Sequence, residues 1–249
     1  MLFNPITVLK MAQLSSIIYC SQTFPPLAPP PLDLPIALGS SCKPLPNENI
    51  VYFNDNKTTA VKMAISKNDR DKHVSIIFRG SETITDWKYN LQFLPKSLDK
   101  DNKKFWVHTG VYKQIYPNFD FYSNITEAII EKVPEYDIYF TGHSSAAIQA
   151  LLMAYLYSER TGREVNAIGF CGPPFMNWKF RDHIESAKKI DILRVTHGLD
   201  PVPFLMLPLY SHVGNNLHLR QTYNKRRFPR IFSIRDHLIL NLIRSLKDN

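Results

Sequence analysis

The sequence has few of the features that mark membrane-spanning, disulfide-rich or metal-binding proteins. None of its apolar runs approaches the ~20 residues that a helix needs to cross a bilayer. Three cysteines in 249 residues cannot form a disulfide framework, and their spacing matches no metal-binding motif. No internal repeat is present. The remaining composition, 44% hydrophobic and 21% charged, is ordinary for a globular protein.

The cysteines and the first residues leave the compartment open. Cys20, Cys42 and Cys171 cannot all pair within the chain. A bridge between Cys20 and Cys42 is one possibility in an oxidising compartment, and a reduced state is the simpler expectation. Residues 2–9 do not resemble a signal peptide, because this apolar run is short, contains Pro5 and follows no basic residue. The sequence is compatible with the cytoplasm or with export by a non-standard route.

Positive charge is the strongest bias of the composition, with a formal net charge of +8 at pH 7. Much of it lies in the basic segment at residues 220–235, which contains Arg220, Lys225, Arg226, Arg227, Arg230 and Arg235. Such a segment can make peripheral contact with an anionic membrane, or it can be a solvated surface. No nucleic-acid-binding module is recognisable, so nucleic acid is not an expected partner.

Alternating strand-like and helical patterns predict an α/β fold. Strand patterns cover residues 57–66, 73–78, 138–140, 165–170 and 190–195. Helical patterns cover residues 5–20, 111–132 with a break near Pro117, 145–159, 178–189 and 238–246. This order predicts a mostly parallel central sheet with helices on both faces. A Pro-rich loop at about 24–47 is expected within a single domain that spans residues 1–249.

The most informative stretch is Thr141-Gly-His-Ser-Ser-Ala146, which lies between a short apolar run and a strong helix-forming segment. A strand, then Gly-His-Ser, then a helix is the context of a nucleophile elbow, whose sharp turn places the serine hydroxyl above the sheet edge. Amides at the start of the following helix can bind an anion. The stretch predicts hydrolysis through an acyl-enzyme on Ser144.

A serine nucleophile needs a base, and the base needs an orienting carboxylate, in the chain order serine, acid, histidine. Asp200 closely follows a predicted strand, whereas Asp191 opens that strand at the wrong end. An Asp-Pro turn is the alternative role for Asp200. His237 follows the acid by a loop-sized gap and is the expected base. His212 is its main competitor, although a structural role is the simpler explanation for it.

The oxyanion of the tetrahedral intermediate needs two donors. One should be the amide of Ser145, directly after the nucleophile. The other is expected at Ser81, in the loop Phe78-Arg-Gly-Ser81 after an earlier predicted strand. The alternative is that this loop is a simple turn, with Arg79 in a structural ion pair. His143, beside the nucleophile, is expected to point elsewhere.

Several segments together resemble the class 3 lipase family, the fungal-lipase-like branch of the α/β-hydrolases. They occur in the family's order over about residues 50–240: Phe78-Arg-Gly-Ser, Thr85-Asp-Trp, His108-Thr-Gly-Val-Tyr, Thr141-Gly-His-Ser, Gly198-Leu-Asp-Pro-Val-Pro, Tyr210-Ser-His-Val-Gly and Asp236-His-Leu. The resemblance implies an α/β-hydrolase fold and hydrolysis of lipid or related acyl esters, without cofactor or metal. It supports Ser144, Asp200 and His237 as the catalytic triad, with Ser81 and Ser145 at the oxyanion hole.

Three segments depart from the family's pattern or leave its details open. Ala146 and Ala147 stand where the family's elbow usually has glycine, which motivates the alternative of a catalytically impaired fold that binds a lipid or a partner. Residues 82–90 replace the family's lid and are short and polar, so a soluble ester or a phospholipid fits as well as triacylglycerol. Residues 204–210 either line an acyl groove or pack in the core, and packing is the simpler expectation.

Overall fold

The computed structural model describes residues 3–23, 45–56, 58–80, 94–98, 104–205, 209–221 and 233–248. Within these residues the strands are β1 (Asn49–Asn56), β2 (Val61–Asn68), β3 (His73–Phe78), β4 (Pro95–Ser97), β5 (Trp106–His108), β6 (Asp137–His143), β7 (Val165–Phe170), β8 (Ile190–His197) and β9 (Asn215–Leu219). The α-helices are α1 (Pro5–Ile17), α2 (Thr109–Ile115), α3 (Phe119–Ile130), α4 (Ser145–Thr161), α5 (Trp178–Ala187) and α6 (Ile239–Asp248).

Seven strands form one sheet in the order β1-β2-β3-β6-β7-β8-β9, and β4 pairs separately with β5. The pairs β1–β2 and β2–β3 are antiparallel, whereas every pair from β3 to β9 is parallel. Parallel strands have their carboxyl ends at one edge of the sheet. The chain segments that follow β3, β6 and β8 therefore emerge side by side, which is the position of ligand sites in open α/β sheets.

Helices cover both faces of this sheet, as predicted. Because successive strand residues point to opposite faces, Ile76 and Phe78 join one apolar core while Ile77 joins the other. Helix α4 is the main cover of the first face, and α1 and α6 pack side by side on the second. Because both faces are covered, β3 is buried at every position, and β6 and β7 are buried at most positions.

The central elements match the sequence patterns, and the sheet edges do not. β3 and β7 have the expected bounds, and the predicted helix break near Pro117 is a 3₁₀ turn at Tyr116–Asn118. β1 and β9, the two edge strands, were not predicted. β9 is mostly polar and exposed, and β1 has four adjacent apolar residues, 50–53, between polar ones, so neither shows a sustained strand-like alternation. The strand expected at 57–66 begins only at Val61.

Cys20 is disulfide-bonded, whereas Cys171 is a free, buried thiol. The expectation of a reduced Cys20 is therefore wrong, because spacing along a chain does not reveal which thiols meet in space. Cys42 lies outside the described residues, as do most of the Pro-rich segment and residues 222–232 of the basic segment. In the described parts of the chain, no helix combines the length and apolarity that crossing a membrane requires. The single domain over 1–249 stays a prediction.

Candidate active site

Ser144 lies at the junction between β6 and α4 in a strained backbone conformation. Its φ of 60° and ψ of −130° are outside the regions that non-glycine residues favour, at a cost of about 1–3 kcal/mol. Two bonds hold the turn: the Ser144 amide donates to the Phe170 carbonyl at 2.9 Å, and the Ala147 amide donates to the Ser144 carbonyl at 3.0 Å. This is the strand–turn–helix geometry of a nucleophile elbow.

The two alanines of the elbow pack against glycines. A Cβ atom at position 142 would lie 2.9 Å from the Cβ of Ala146, and one at position 172 would lie 2.7 Å from the Cβ of Ala147. The absence of a side chain at Gly142 and Gly172 therefore provides the space that each alanine methyl occupies. The elbow accommodates Ala146 and Ala147 without separating helix and strand.

His237 links the serine to an acid. Its Nε2 lies 2.8 Å from Ser144 Oγ, and its Nδ1 lies 2.9 Å from Asp200 Oδ2. An ionised carboxylate only accepts hydrogen bonds, so Nδ1–H donates to Asp200 and the lone pair of Nε2 accepts from the serine hydroxyl. The structure thus brings together the three residues that the sequence predicted.

Asp200 is buried in the turn that follows β8, where its amide donates to the His197 carbonyl at 3.1 Å. Its Oδ1 accepts from the Val202 amide at 2.9 Å, so the carboxylate forms both the Asp-Pro turn and the contact with His237. The Cys171 thiol lies close to this carboxylate. Burial, followed by the proximity of Asp200, raises the pKa of Cys171 well above its ordinary value, which keeps the thiol protonated.

Asp236 ties the loop that carries the acid to the loop that carries the base. This fully buried carboxylate accepts from the Leu199 amide at 2.7 Å, and its own carbonyl accepts from His197 Nδ1 at 2.9 Å. The Ser233 amide also donates to the Leu199 carbonyl at 2.8 Å. No role was predicted for Asp236, since only its position beside His237 distinguishes it in the sequence.

His212, the competitor for the role of base, has a different partner. Its Nε2–H donates to the Pro203 carbonyl at 2.7 Å. Burial, and next the charge of Arg194, lower its pKa from 6.5 to about 4. A neutral histidine that is bonded to the backbone fits the structural role expected for it.

His143, which was expected to point elsewhere, lies beside the base. Its Nε2 is 2.7 Å from the His237 carbonyl oxygen, and its Nδ1 is 3.0 Å from the Tyr19 hydroxyl. The rings of His143 and His237 have centroids 4.8 Å apart. Sequence reasoning missed this contact, because position 143 precedes the nucleophile and the order serine, acid, histidine directs attention to later histidines.

The two residues proposed for the oxyanion hole differ in what the structure describes. Ser145 is the buried first residue of α4, directly after the nucleophile. Ser81 and the lid-like residues 82–90 lie outside the described residues. Gly80 is the last described residue before them, and it adjoins the elbow, because a Cβ atom there would lie 3.5 Å from the Ser144 Cβ.

Apolar side chains are exposed on both sides of Asp200 along the chain. Phe204 is 62% exposed, Leu209 is 53% exposed, and Leu199 and Leu205 are also exposed. The expectation that residues 204–210 pack in the core is therefore wrong for Phe204, Leu205 and Leu209, because the 3₁₀ turn at Val202–Phe204 buries Pro203 instead. It is confirmed for Tyr210, which is buried. Residues 206–208 lie outside the described residues.

One group among the described residues has metal-ligating atoms close together. Ligand atoms of His143, Cys171 and His237 all lie within 4.8 Å of one another. Each histidine nitrogen there already has a hydrogen-bonding partner, and the thiol is protonated. A resident metal ion would displace these bonds, so this donor set does not fit one.

One family model matches more than half of the chain. A family model described as Lipase (class 3) matches residues 75–210. Phospholipase A1-IIalpha of Arabidopsis thaliana is 30% identical over 109 residues, which are 38% of this chain and 26% of that protein. The chain thus spans about a quarter of the length of this curated relative.

Solved lipase structures share the fold. The structure of the Rhizomucor miehei lipase propeptide complex is similar to this chain, with a TM-score of 0.77 at 20% identity over 94% of this chain and 79% of that chain. The lipase of Rhizopus microsporus var. chinensis gives a TM-score of 0.74 at 19% identity, over 94% of this chain and 85% of that chain. These likenesses confirm the α/β-hydrolase fold.

Proposed function

The chain belongs to the class 3 lipase family, and from this membership we propose that it hydrolyses carboxylic ester bonds of acyl lipids through an acyl-enzyme on Ser144. The observation that carries the proposal is the continuous contact from Ser144 Oγ to His237 Nε2, at 2.8 Å, and from His237 Nδ1 to Asp200 Oδ2, at 2.9 Å. Both distances lie within the reach that a nucleophile, its base and an orienting acid require.

In the proposed acylation step, Ser144 Oγ attacks the ester carbonyl carbon while His237 Nε2 takes the hydroxyl proton. The carbonyl electron pair moves to oxygen and forms a tetrahedral oxyanion. When this intermediate collapses, the bond to the leaving alcohol breaks, and His237 returns the proton to that alcohol. Asp200 holds the ring in the required tautomer and stabilises the imidazolium.

Deacylation repeats the sequence with water as the nucleophile. His237 takes a proton from the water as its oxygen attacks the acyl carbon. Collapse of the second intermediate releases the fatty acid and returns the proton to Ser144 Oγ. No group outside the protein, substrate and water is needed for this reaction.

We propose the amide of Ser145 as one oxyanion donor, because it directly follows the nucleophile. Ser81 is proposed as the other, because it directly follows Gly80, and a Cβ atom at Gly80 would lie within 3.5 Å of the Ser144 Cβ. Each such donor contributes about 3 kcal/mol to transition-state stabilisation, a factor of 10²–10³ in rate.

Triacylglycerols, phospholipids and related acyl esters are the proposed substrates. Exposed Leu199, Phe204, Leu205 and Leu209 near the acid favour an apolar acyl chain over a polar substrate. The curated relative is named as a phospholipase A1, which supports a phospholipid as one substrate class.

The test is hydrolysis of p-nitrophenyl esters from acetate to palmitate, followed by release of fatty acid from phosphatidylcholine vesicles and triacylglycerol emulsions. We expect turnover and stoichiometric labelling of Ser144 by a serine-directed phosphonate, with both absent in Ser144→Ala. A folded protein that cleaves no ester and takes up no phosphonate would overturn the proposal. It would favour the alternative of an impaired fold that binds a lipid or a partner.

We also propose peripheral contact with anionic membranes through the basic segment. Arg220 and Arg235, at its two ends, are exposed, and the chain carries a net charge of +8. Cosedimentation with vesicles that contain phosphatidylserine should fall as salt rises, while phosphatidylcholine vesicles and duplex DNA serve as controls. Absence of binding to the anionic vesicles at low salt would exclude this contact.

A further inference from the structure

We infer that His143 and Tyr19 form a positioning pair that fixes the backbone of the catalytic base, an inference that rests on the function proposed above. His143 does not contact the reacting atoms. It holds His237 through a hydrogen bond to the backbone carbonyl of that residue. The backbone of His143 itself belongs to β6, the strand that leads to the nucleophile. One strand end thereby fixes both partners of the proton transfer.

The bond from His143 to the base has a defined direction. A carbonyl oxygen can only accept, so His143 Nε2–H donates to the His237 carbonyl at 2.7 Å. Neutral imidazole then has only Nδ1 as its acceptor, and the Tyr19 hydroxyl donates to it at 3.0 Å. Tyr19 thus selects the tautomer of His143 that is able to hold His237.

His143 is permanently available for this bond. It is buried, and burial, followed by the proximity of the His237 ring, lowers its pKa from 6.5 to about 3. At neutral pH it is uncharged and donates from Nε2 alone. The position of the ring is set by the sheet, because His143 pairs with Phe170 in the ladder between β6 and β7.

Tyr19 connects the pair to a second part of the site. It is buried beyond the end of α1, next to the disulfide-bonded Cys20. A Cβ atom at Gly80 would lie 2.5 Å from the Tyr19 hydroxyl oxygen and 2.6 Å from the His143 carbonyl oxygen. The Tyr19 hydroxyl therefore lies between His143, which holds the base, and Gly80, which precedes the proposed oxyanion donor Ser81.

This arrangement predicts a specific functional loss when the bond to His237 is removed. The base must stay aligned with Ser144 Oγ, and a displacement of about 1 Å can reduce the rate by about 10²-fold. The bonds to His237 and to Tyr19 leave from different nitrogens, so they can be removed separately.

Three substitutions separate the two bonds. His143→Gln places an amide N–H near the position of Nε2 and should retain at least about a third of wild-type kcat. The shorter side chain of His143→Asn can accept the hydrogen bond from Tyr19 but cannot reach the His237 carbonyl. This variant should reduce kcat by about 10–100-fold, with KM within about twofold. Tyr19→Phe removes one hydroxyl and should reduce kcat by about 3–10-fold.

The matched control is Tyr157→Phe. Tyr157 is fully buried on α4 and donates its hydroxyl to Glu127. It lies thirteen residues beyond Ser144 along the helix, which is about 20 Å. This variant should lower the unfolding midpoint and leave kcat unchanged.

Each kcat should be normalised to the sites titrated by the phosphonate, so that a smaller folded fraction does not appear as slower chemistry. His143→Asn with a normalised kcat within twofold of wild type would overturn the inference and leave the proposed function intact. If the wild-type protein hydrolyses no ester, the proposed function fails instead. The ¹H–¹⁵N NMR signals of the His237 ring are then compared: a change in His143→Asn but not in His143→Gln supports the inference, and identical signals contradict it.

Discussion

At the residue scale, the strain at Ser144 explains how a small side chain stays partly accessible at a buried elbow. The φ of 60° turns the chain sharply enough to point Oγ away from the sheet, and bonds to Phe170 and Ala147 maintain the turn. His237 and Asp200 then supply a proton acceptor and its orientation. Strain and hydrogen bonds are concentrated at one point, as is common at functional sites.

The two candidate histidines give the sharpest test of the assigned roles. His237→Ala should lower kcat by at least about 10³-fold, because no base remains within reach of Ser144. His212→Ala should keep kcat within about threefold while losing stability, because it removes only the bond to Pro203. Steady-state kinetics on a p-nitrophenyl ester, with unfolding midpoints, will check both. Equal losses of kcat would show that the base was chosen wrongly.

The space beside Ala147 can be tested at Gly172. In Gly172→Ala a new Cβ would lie 2.7 Å from the Ala147 Cβ, which is closer than two carbons can approach. We expect a loss of about 1–3 kcal/mol in the free energy of unfolding, measured in urea. The double variant Gly172→Ala/Ala147→Gly should recover most of it. If Gly172→Ala is neutral, the Ala147 methyl does not fill this space.

The residues of the site could be predicted where a motif or the order along the chain indicates their chemistry. Contacts that depend only on the three-dimensional arrangement could not be predicted. Ser144, Asp200 and His237 follow from a motif and a chain order, although their catalytic roles stay a prediction. Contacts such as Tyr19 with His143 join positions that are 124 residues apart, and no sequence pattern indicates them. Ser81 lies outside the described residues, so its role also stays a prediction.

At the scale of elements, the loops after β8 and before α6 behave as one unit. Asp236 bonds the Leu199 amide, and the His197 side chain bonds the Asp236 carbonyl. The acid and the base are therefore held in register by hydrogen bonds between side chains and the backbone, besides their own hydrogen bond. A change that separates these loops should affect catalysis without touching Ser144, Asp200 or His237.

Asp236→Ala tests this coupling. It leaves the Leu199 amide and the Gln221 side-chain amide without their acceptor. We expect a loss of about 2–4 kcal/mol in unfolding free energy and a lower kcat per titrated site. Asp182→Ala is the control, because Asp182 is paired with Arg181 on an exposed face of α5 and should change stability by under about 0.5 kcal/mol. Equal effects of the two variants would contradict the coupling.

The strands that are more deeply buried were the ones that could be predicted from the sequence. β3 and β7 lie inside the sheet, are buried at nearly every position and have mainly apolar sequences, so their bounds follow from the pattern. The edge strands β1 and β9 present polar residues to solvent, and the short pair β4–β5 is only three residues long on each side. Such strands depend on pairing with a neighbour, and a single segment does not reveal pairing.

At the scale of the whole molecule, two apolar cores on opposite faces of one sheet position the site at the sheet's carboxyl edge. His143 is buried and His212 is half-buried, and their pKa values are lowered to about 3 and about 4 from the 6.5 of an ordinary histidine. The folded protein therefore binds fewer protons than the unfolded chain below pH 6.5. Stability contributed by neutral histidines is complete above pH 6.5 and decreases as the pH falls towards 4.

Urea unfolding at pH 7 and pH 5 will measure this effect. The wild-type protein should lose up to roughly 1.4 kcal/mol per pH unit for each of the two histidines below pH 6.5. Glu48 and Glu127, whose pKa values are lowered by their hydrogen-bonding partners despite burial, add to the loss only below about pH 4.5. The variant His143→Gln/His212→Gln should lose clearly less stability between the two pH values. An unchanged slope would show that other groups take up the protons.

The packing of α1 beside α6 has a consequence for biosynthesis. The base precedes α6, while the nucleophile and the acid lie earlier in the chain. A nascent chain on the ribosome would already expose the serine and the aspartate before the base has been synthesised. On the function proposed above, we expect ester cleavage to begin only once α6, which follows the base, has packed against α1.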